Sequence, residues 1–151
     1  MREDNDHRGQ VLVPLSEFKT TAAVVTSSNA RRYVLKLLVA DRESLREQGL
    51  SHVTDSSLHG CDGMLFVFPE DVEDAFWMRD TPRPLSLAFV DSAGVVRSTV
   101  DMAPGNVDDS RLYPPRGPYR YGLEVPQGRL AELGIAAGSR LSLEAHLSAV
   151  D

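Results

Sequence analysis

The segment from Trp77 to Thr81 places four kinds of recognition chemistry within a few residues. It supplies a flat indole, the guanidinium of Arg79, the carboxylate of Asp80 and a threonine hydroxyl. An aromatic face beside charged and hydroxyl groups is typical of a small ligand pocket. The structural alternative places Trp77 in the core and pairs Arg79 with Asp80. Thr81 would then only shape the turn before the next proline.

Two residues of a later segment complete the candidate site. Alternation along that segment places Tyr121 on one face of a predicted strand and Glu124 on the other. If the strand is central, the Glu124 carboxylate must be paired, for example with Arg79 or Arg120, or titrate abnormally. The candidate ligand-binding residues are therefore Trp77, Arg79, Asp80, Thr81, Tyr121 and Glu124.

These residues favour a non-catalytic binding or interaction module for a small polar ligand or a peptide segment. The reason is that no nucleophile, base and orienting group stand in visible register. The alternative is a hydrolase or lyase in which Glu124 and Asp80 act as acid and base. Such chemistry requires the two carboxylates to lie within about 10 Å of each other.

One loop carries His52, His59 and Cys61, which together suggest a metal site or a Cys-His nucleophile. Their spacing matches no closed zinc pattern, and the adjacent Asp62 disfavours a thiolate. We therefore expect all three to be solvated loop residues and predict no metal. Neither a G-x-G-x-x-G nor a Walker sequence is present, so we predict no nucleotide and no other cofactor.

Composition limits the classes of partner. The chain has 151 residues, a net charge of -6 and one cysteine. This is one domain's worth of sequence, which must fold without an internal disulfide. The acidic balance disfavours nucleic acid, whose phosphates require a basic face. The polar start, 1–8, contains no apolar run long enough for an export signal or a membrane span, so we expect a cytoplasmic protein. The oligomeric state is left open.

Hydrophobic patterns predict the elements of the first half of the domain. The segment 33–39 is rich in strand formers and is followed by a helix capped by Asp41 and stopped by Gly49. Gly63 opens a strand that is apolar on both faces and therefore central, and Pro69 with the acids after it predicts a turn. A further strand is predicted at 76–78. Alternation then predicts a hairpin, with strands at 85–90 and 95–100 joined by 91–94.

The second half contains a long irregular stretch at 104–118. A strand at 119–125, about two helical turns at 127–133 and a last strand at 141–147 follow. Residues 1–30 are predicted to be an N-terminal extension, partly disordered or with marginal strands, ahead of a β domain at 31–148. The expected fold is mainly β (α+β): an antiparallel β-sandwich or barrel-like domain with one or two short helices.

Three blocks in this order resemble the DUF192 (UPF0127) family, whose biochemical role is not established. They span 39–50, 63–94 and 123–138, so the resemblance extends over about the last three quarters of the chain. The resemblance implies a β-dominated fold. The chain departs from the family pattern at four positions: Ser51 replaces Met, Asp80 replaces Asn, and Ser86 and Ser139 each replace Asp.

Overall fold

Seven strands form one sheet in a computed structural model that describes residues 12–144 and 147–150. The strands are β1 (Lys19–Thr26), β2 (Arg32–Ala40), β3 (Gly63–Val72), β4 (Leu85–Val90), β5 (Val96–Met102), β6 (Tyr119–Pro126) and β7 (Arg140–Leu143). Within the described residues, the α-helices are α1 (Glu43–Gln48) and α2 (Arg129–Glu132), and 3₁₀ turns lie at Leu15–Glu17 and Leu58–Gly60. None of these helices has the length and apolar character needed to cross a membrane.

The strand order is β5-β4-β6-β3-β2-β1-β7. Only the β2–β3 pair is parallel, and the chain between these strands carries α1 and a long loop, as a parallel connection requires. A single bridge between Val95 and Arg140 brings the two ends of the sheet near each other without a closing ladder. The prediction of a mainly β (α+β) domain, a β-sandwich or barrel-like fold with one or two short helices, is therefore confirmed.

Both faces of the sheet are apolar and covered. On β3, Met64 and Phe66 point into one core, which we call the first core, and Leu65 and Val67 point into the other, which we call the second core. All four are buried, which confirms that this strand is central. Burial on both faces explains why the segment is a continuous apolar run in the sequence.

An aromatic cluster fastens the segment after β3 to the first core. The ring of Phe76 packs edge-on against Phe66, with centroids 5.0 Å apart, and against Phe89 at 5.8 Å. Tyr119 completes the group, 4.9 Å from Phe89, and its hydroxyl donates to the Asp74 carbonyl at 2.7 Å. This packing fixes the start of the segment that carries the candidate site.

Two predictions about this segment are wrong. β3 does not turn at Pro69 but continues to Val72, which pairs with Tyr119 beyond an irregularity in the ladder. A proline is tolerated there because the irregular stretch needs no ladder N–H from it. Residues 76–78 form no strand, since Phe76 makes only an isolated bridge with Tyr113. The segment crosses the face of the sheet, where no neighbouring strand is available.

The helices differ in detail from expectation. The N-cap of α1 is Arg42 rather than Asp41, whose carboxylate instead accepts a bond from Lys19 at 3.0 Å. Gly49, with φ of 50°, ends the helix as predicted. α2 is a single turn, shorter than predicted. The last strand, predicted at 141–147, is present as the shorter β7, which ends at Leu143, and residues 145 and 146 lie outside the described residues.

β1 lies inside the segment expected to be an N-terminal extension. It pairs with β2 along its whole length and with β7 on its other side. Ala23 and Val25 point into the second core and are almost fully buried. Residues 1–11 of that predicted extension lie outside the described residues.

Candidate functional site

Trp77 and Arg79 form a stacked pair. The guanidinium carbon of Arg79 lies 4.3 Å from the centroid of the indole ring, a cation–π distance. Only 4% of the Trp77 surface and 8% of the Arg79 surface are exposed. Arg79 Nε also donates to the Asp109 carbonyl at 3.0 Å. The pair therefore ties the segment to the loop after β5, and its indole offers a ligand little surface.

The turn after Arg79 is held by backbone bonds on several sides. The Thr81 N–H donates to the Met78 carbonyl at 3.1 Å, and the Thr81 hydroxyl donates to the Arg79 carbonyl at the same distance. The Gly105 N–H donates to the Thr81 carbonyl, again at 3.1 Å. Thr81 is buried, so its hydroxyl stabilises the turn and is directed away from solvent.

Asp80 is the residue of this turn that faces an open cleft, and the structure brings His52 beside it. The His52 N–H donates to the Asp80 carbonyl at 2.6 Å, and His52 Nε2 lies 3.6 Å from Asp80 Oδ2. At that distance the two side chains are in contact without a hydrogen bond, and the contact is an ion pair only when the imidazole is protonated. Both residues have left-handed backbone, with φ of 62° and 54°. Non-glycine residues adopt this conformation at a cost that the surroundings must offset, and such residues concentrate at functional sites.

We call the concavity above this pair the Asp80 cleft. Its volume is about 550 Å³, within the range of small-ligand sites. Half of the His52 side chain is exposed, against 15% of the Asp80 side chain. The lining residues are His52, Thr54, Asp80, Pro82, Pro104, Gly105 and Asn106. The cleft thus combines one carboxylate, an imidazole, a hydroxyl and an amide with flat proline surfaces.

Gly105 allows the loop after β5 to approach this turn closely. A Cβ at position 105 would lie 2.7 Å from the Met78 carbonyl oxygen and 2.1 Å from Asp109 Oδ2. No side chain therefore fits. The Asp80 N–H donates to the Asn106 carbonyl at 3.2 Å, so the same loop also positions the cleft residue itself.

The structure does not bring Glu124 and Tyr121 into this cleft. Glu124 lies on β6 between Met64 and Leu87, within the first core, and only 3% of it is exposed. Tyr121 points to the opposite face of the sheet, where it packs against the second core. Of the six candidate residues, Trp77, Arg79, Asp80 and Thr81 are thus adjacent, and only Asp80 lines the Asp80 cleft.

The three residues of the His-Cys loop have different surroundings. His52 joins Asp80, His59 lies on a 3₁₀ turn with left-handed backbone, and Cys61 is buried in the first core. The expectation that Cys61 is solvated is therefore wrong, and burial raises the pKa of its thiol. Across residues 12–144 and 147–150, no group of three or more His, Cys, Asp or Glu side chains could hold a metal ion.

The Asp109 carboxylate lies next to the stacked pair and carries a negative charge. The Arg111 backbone N–H donates to Asp109 Oδ1 at 2.9 Å, and the Arg111 guanidinium lies 3.3 Å from Oδ2. These contacts hold the pKa of Asp109 below the usual 3.8, the backbone bond having the largest effect, and the Arg79 charge adds to it. The carboxylate is therefore ionised at neutral pH.

Apart from Asp80, none of the lining residues was among the six candidates, and His52 and Asn106 are two of those that were missed. His52 lies 28 positions before Asp80, in a loop whose path no periodic pattern fixes. The prolines and glycines of the 104–118 stretch gave the only signal for Asn106, because loops of this kind are disproportionately functional.

Comparison with known proteins identifies the chain's relatives. The model of the DUF192 family, described as "Uncharacterized ACR", matches residues 23–143. No curated protein matches the chain.

Two crystal structures have the same fold. One, from Sinorhizobium meliloti 1021, is described as a "putative transcription regulator". It is 27% identical, the match covers 89% of this chain and 98% of that one, and the TM-score is 0.75. The other, from Novosphingobium aromaticivorans DSM 12444, is a protein of unknown function. It is 28% identical, the match covers 87% of this chain and 91% of that one, and the TM-score is 0.71.

Proposed function

The chain belongs to the DUF192 family, and from the chemistry of its own cleft we propose that it is a non-catalytic module that binds a small polar ligand or a peptide segment. The observation that carries the proposal is the His52–Asp80 pair at the mouth of the Asp80 cleft. A carboxylate and an imidazole in a cleft of this size can bind a ligand that donates hydrogen bonds.

The rigidity of the cleft supports binding. Backbone bonds fix Asp80 to both His52 and Asn106, and the prolines at 82 and 104 limit the motion of the walls. A cleft that is already in its bound shape loses little conformational entropy when the ligand enters.

The burial of Glu124 favours binding over the hydrolase or lyase alternative. Acid–base chemistry needs both carboxylates to reach the same substrate. Glu124 is in the first core and does not line the Asp80 cleft. The Glu124–Asp80 pair that this alternative requires is therefore not assembled in the Asp80 cleft.

Charge and composition support the remaining parts of the proposal. A net charge of -6 opposes nucleic-acid binding, so the description of the Sinorhizobium protein is not extended to this chain. A chain with one cysteine does not depend on an oxidising compartment, and we place its activity in the cytoplasm.

The proposal is tested by titrating the isotope-labelled full chain with pools of small polar metabolites and short peptides. We expect at least one pool to shift the amide signals of His52, Thr54 and Asn106 in two-dimensional NMR spectra. Asp80→Asn should abolish or weaken the effect while leaving the melting temperature unchanged, since both residue types accept left-handed backbone. Shifts confined to other surfaces, or identical titrations of the variant, would remove the basis for this site.

A further inference from the structure

The last described residues of the chain, 147–150, lie against the sheet without belonging to a strand. Leu147 and Ala149 are half-buried and pack against the second core. Ser148 between them is exposed, and Val150 is 59% exposed. The segment therefore turns alternate side chains towards the sheet, as an extended peptide does. We call it the C-terminal strap.

Two main-chain bonds hold the far end of the strap. The Val150 N–H donates to the Asp41 carbonyl at 2.9 Å. The Val150 carbonyl accepts a bond from Arg46 Nη2 at 2.8 Å. Both polar groups of one peptide residue are thus bound at the corner where β2 leads into α1. Because the contacts are made to the backbone, they do not depend on the exposed valine side chain.

Arg46 is held in place by groups outside the strap. Only 2% of the residue is exposed, and Nη1 donates to the Val67 carbonyl at 2.9 Å. The guanidinium carbon lies 5.1 Å from the centroid of the Phe68 ring. Because a guanidinium is planar and rigid, these contacts also fix the direction of Nη2. A buried cation is costly without polar partners, so an oxygen at the position of the Val150 carbonyl is favoured.

The strap is less firmly integrated than the corner that holds it. Its four side chains are exposed or half-buried, and it has no regular secondary structure. Segments with little buried surface detach at a much lower cost than core elements. Val67 and Phe68, which contact Arg46, belong instead to the central strand β3 and are buried.

We infer that this corner is a binding site for an extended peptide segment, and that the C-terminal strap is its built-in, displaceable occupant. The contacts define the ligand class. It is a peptide with an apolar side chain and a small one two residues apart, followed by a residue whose N–H and carbonyl bond to Asp41 and Arg46. Neither Asp41 nor Arg46 lines the Asp80 cleft, so the site is separate from the one proposed above.

Exchange and titration experiments on the full chain test the inference. Hydrogen exchange of the Val150 amide, followed by NMR, measures how often the strap is released. A capped peptide with the sequence of residues 147–150 is then titrated to about 10 mM, because a tethered occupant competes at an effective concentration in the millimolar range. We expect shifts of the Asp41 amide and the Arg46 Nε–H signals. The apparent Kd should be weakened by the factor that protects the Val150 amide, since only the released state can bind the peptide.

Leu147→Asp should release the strap without altering the corner, because a carboxylate is costly to place against apolar surface. The Val150 amide should then lose its protection, and the capped peptide should bind at least about tenfold more tightly than it binds the parent. Ser148→Asp is the matched control, since it adds the same charge at the neighbouring exposed position. Its Val150 protection and peptide affinity should stay within about twofold of the parent.

Each contrary result overturns the inference. An unprotected Val150 amide in the parent would show that the strap is not bound at the corner, and protection that persists in Leu147→Asp would show that the leucine does not hold it. Release without peptide-induced shifts at residues 41 and 46 would show that the corner accepts the segment only as a continuation of the chain. The Leu65 amide, in the central strand, reports on the sheet. If its protection is lost in Leu147→Asp, the strap is part of the cooperative fold and is not displaceable.

Discussion

The packing of Phe76 over Gly122 provides a quantitative test of how the site segment is fastened to the sheet. Phe76 is 1% exposed, and its ring contacts those of Phe66, Phe89 and Tyr119 at centroid distances of 5.0, 5.8 and 6.2 Å. Truncating a buried Phe to Ala costs about 3–5 kcal/mol, and the ring pairs place this site near the middle of that range or above it. We expect Phe76→Ala to lower the free energy of unfolding by about 4 kcal/mol. The melting temperature should fall by about 8–16 °C.

Gly122 leaves the space that the ring fills. A Cβ at this position would lie 2.8 Å from Phe76 Cζ and 3.4 Å from Leu87 Cδ1. Gly122→Ala should therefore destabilise the parent by about 2 kcal/mol through overpacking. In the Phe76→Ala background, the added methyl enters the vacated space. Because alanine has less conformational entropy than glycine in the unfolded chain, Gly122→Ala is then neutral or stabilising by up to about 1 kcal/mol.

The double-mutant cycle should thus give a coupling energy of about 2–3 kcal/mol. Urea unfolding followed by tryptophan fluorescence is a suitable assay, because Trp77 is the only tryptophan and directly follows Phe76. Leu112→Ala is the control: with 57% of this residue exposed, its loss should change stability by less than about 0.5 kcal/mol. Additive effects of the two core substitutions, within about 0.5 kcal/mol, would refute the proposed packing.

Three further predictions follow from the structure. Gly63→Ala should cost about 3 kcal/mol in urea unfolding, because its Cβ would lie 2.2 Å from the Glu124 carbonyl oxygen; a loss below about 1 kcal/mol would contradict this geometry. The lowered pKa of Asp109 gives stability that is present above the unfolded-state value and is lost as the pH falls through the folded-state value. Below about pH 4, the free energy of unfolding of Asp109→Asn should therefore fall less steeply with decreasing pH than that of the parent. An unchanged pH dependence in this range would count against the role of Arg111. The Cys61 thiol is buried and its pKa is raised. At pH 8 the native protein should therefore react with a thiol reagent at least about tenfold more slowly than the unfolded chain. Equal rates would show that the thiol is accessible.

The sequence pattern alone was sufficient to predict strands that bury their faces in a regular way. The β4–β5 hairpin and the doubly apolar β3 follow from alternation and turn residues alone. The same rule failed at 76–78, because a short apolar run looks alike in a strand and in a segment that packs across a sheet. Only the sheet beneath it, with the space above Gly122, decides between the two.

The pairing of His52 with Asp80 could not have been derived from the sequence. It depends on the long connection between β2 and β3 returning to the segment after β3, and on left-handed backbone at both residues. Non-glycine residues in this conformation have no sequence signature beyond a mild enrichment of Asn, Asp and His. The location of the site therefore depends on the tertiary positions of these loops.

The departures of this chain from the DUF192 pattern affect different parts of the molecule. Ser86, which stands where the pattern has Asp, accepts the Gly128 N–H at 3.1 Å and donates to Asp101 Oδ1 at 2.7 Å. Ser86 thereby bonds the turn after β6 to β4 and pairs with the carboxylate on β5. Position 86 thus serves the scaffold.

Position 80 has the opposite character. Asn and Asp are similar in shape and both accept the left-handed backbone that the turn requires, so the substitution leaves the cleft's geometry intact. Its effect is to add a negative charge next to His52, in a lining that has no lysine or arginine among the residues that the structure describes. If the cleft binds ligands, residue 80 therefore sets their charge. Replacing Asp80 by Asn should then shift the preference of the cleft from positively charged molecules towards neutral ones.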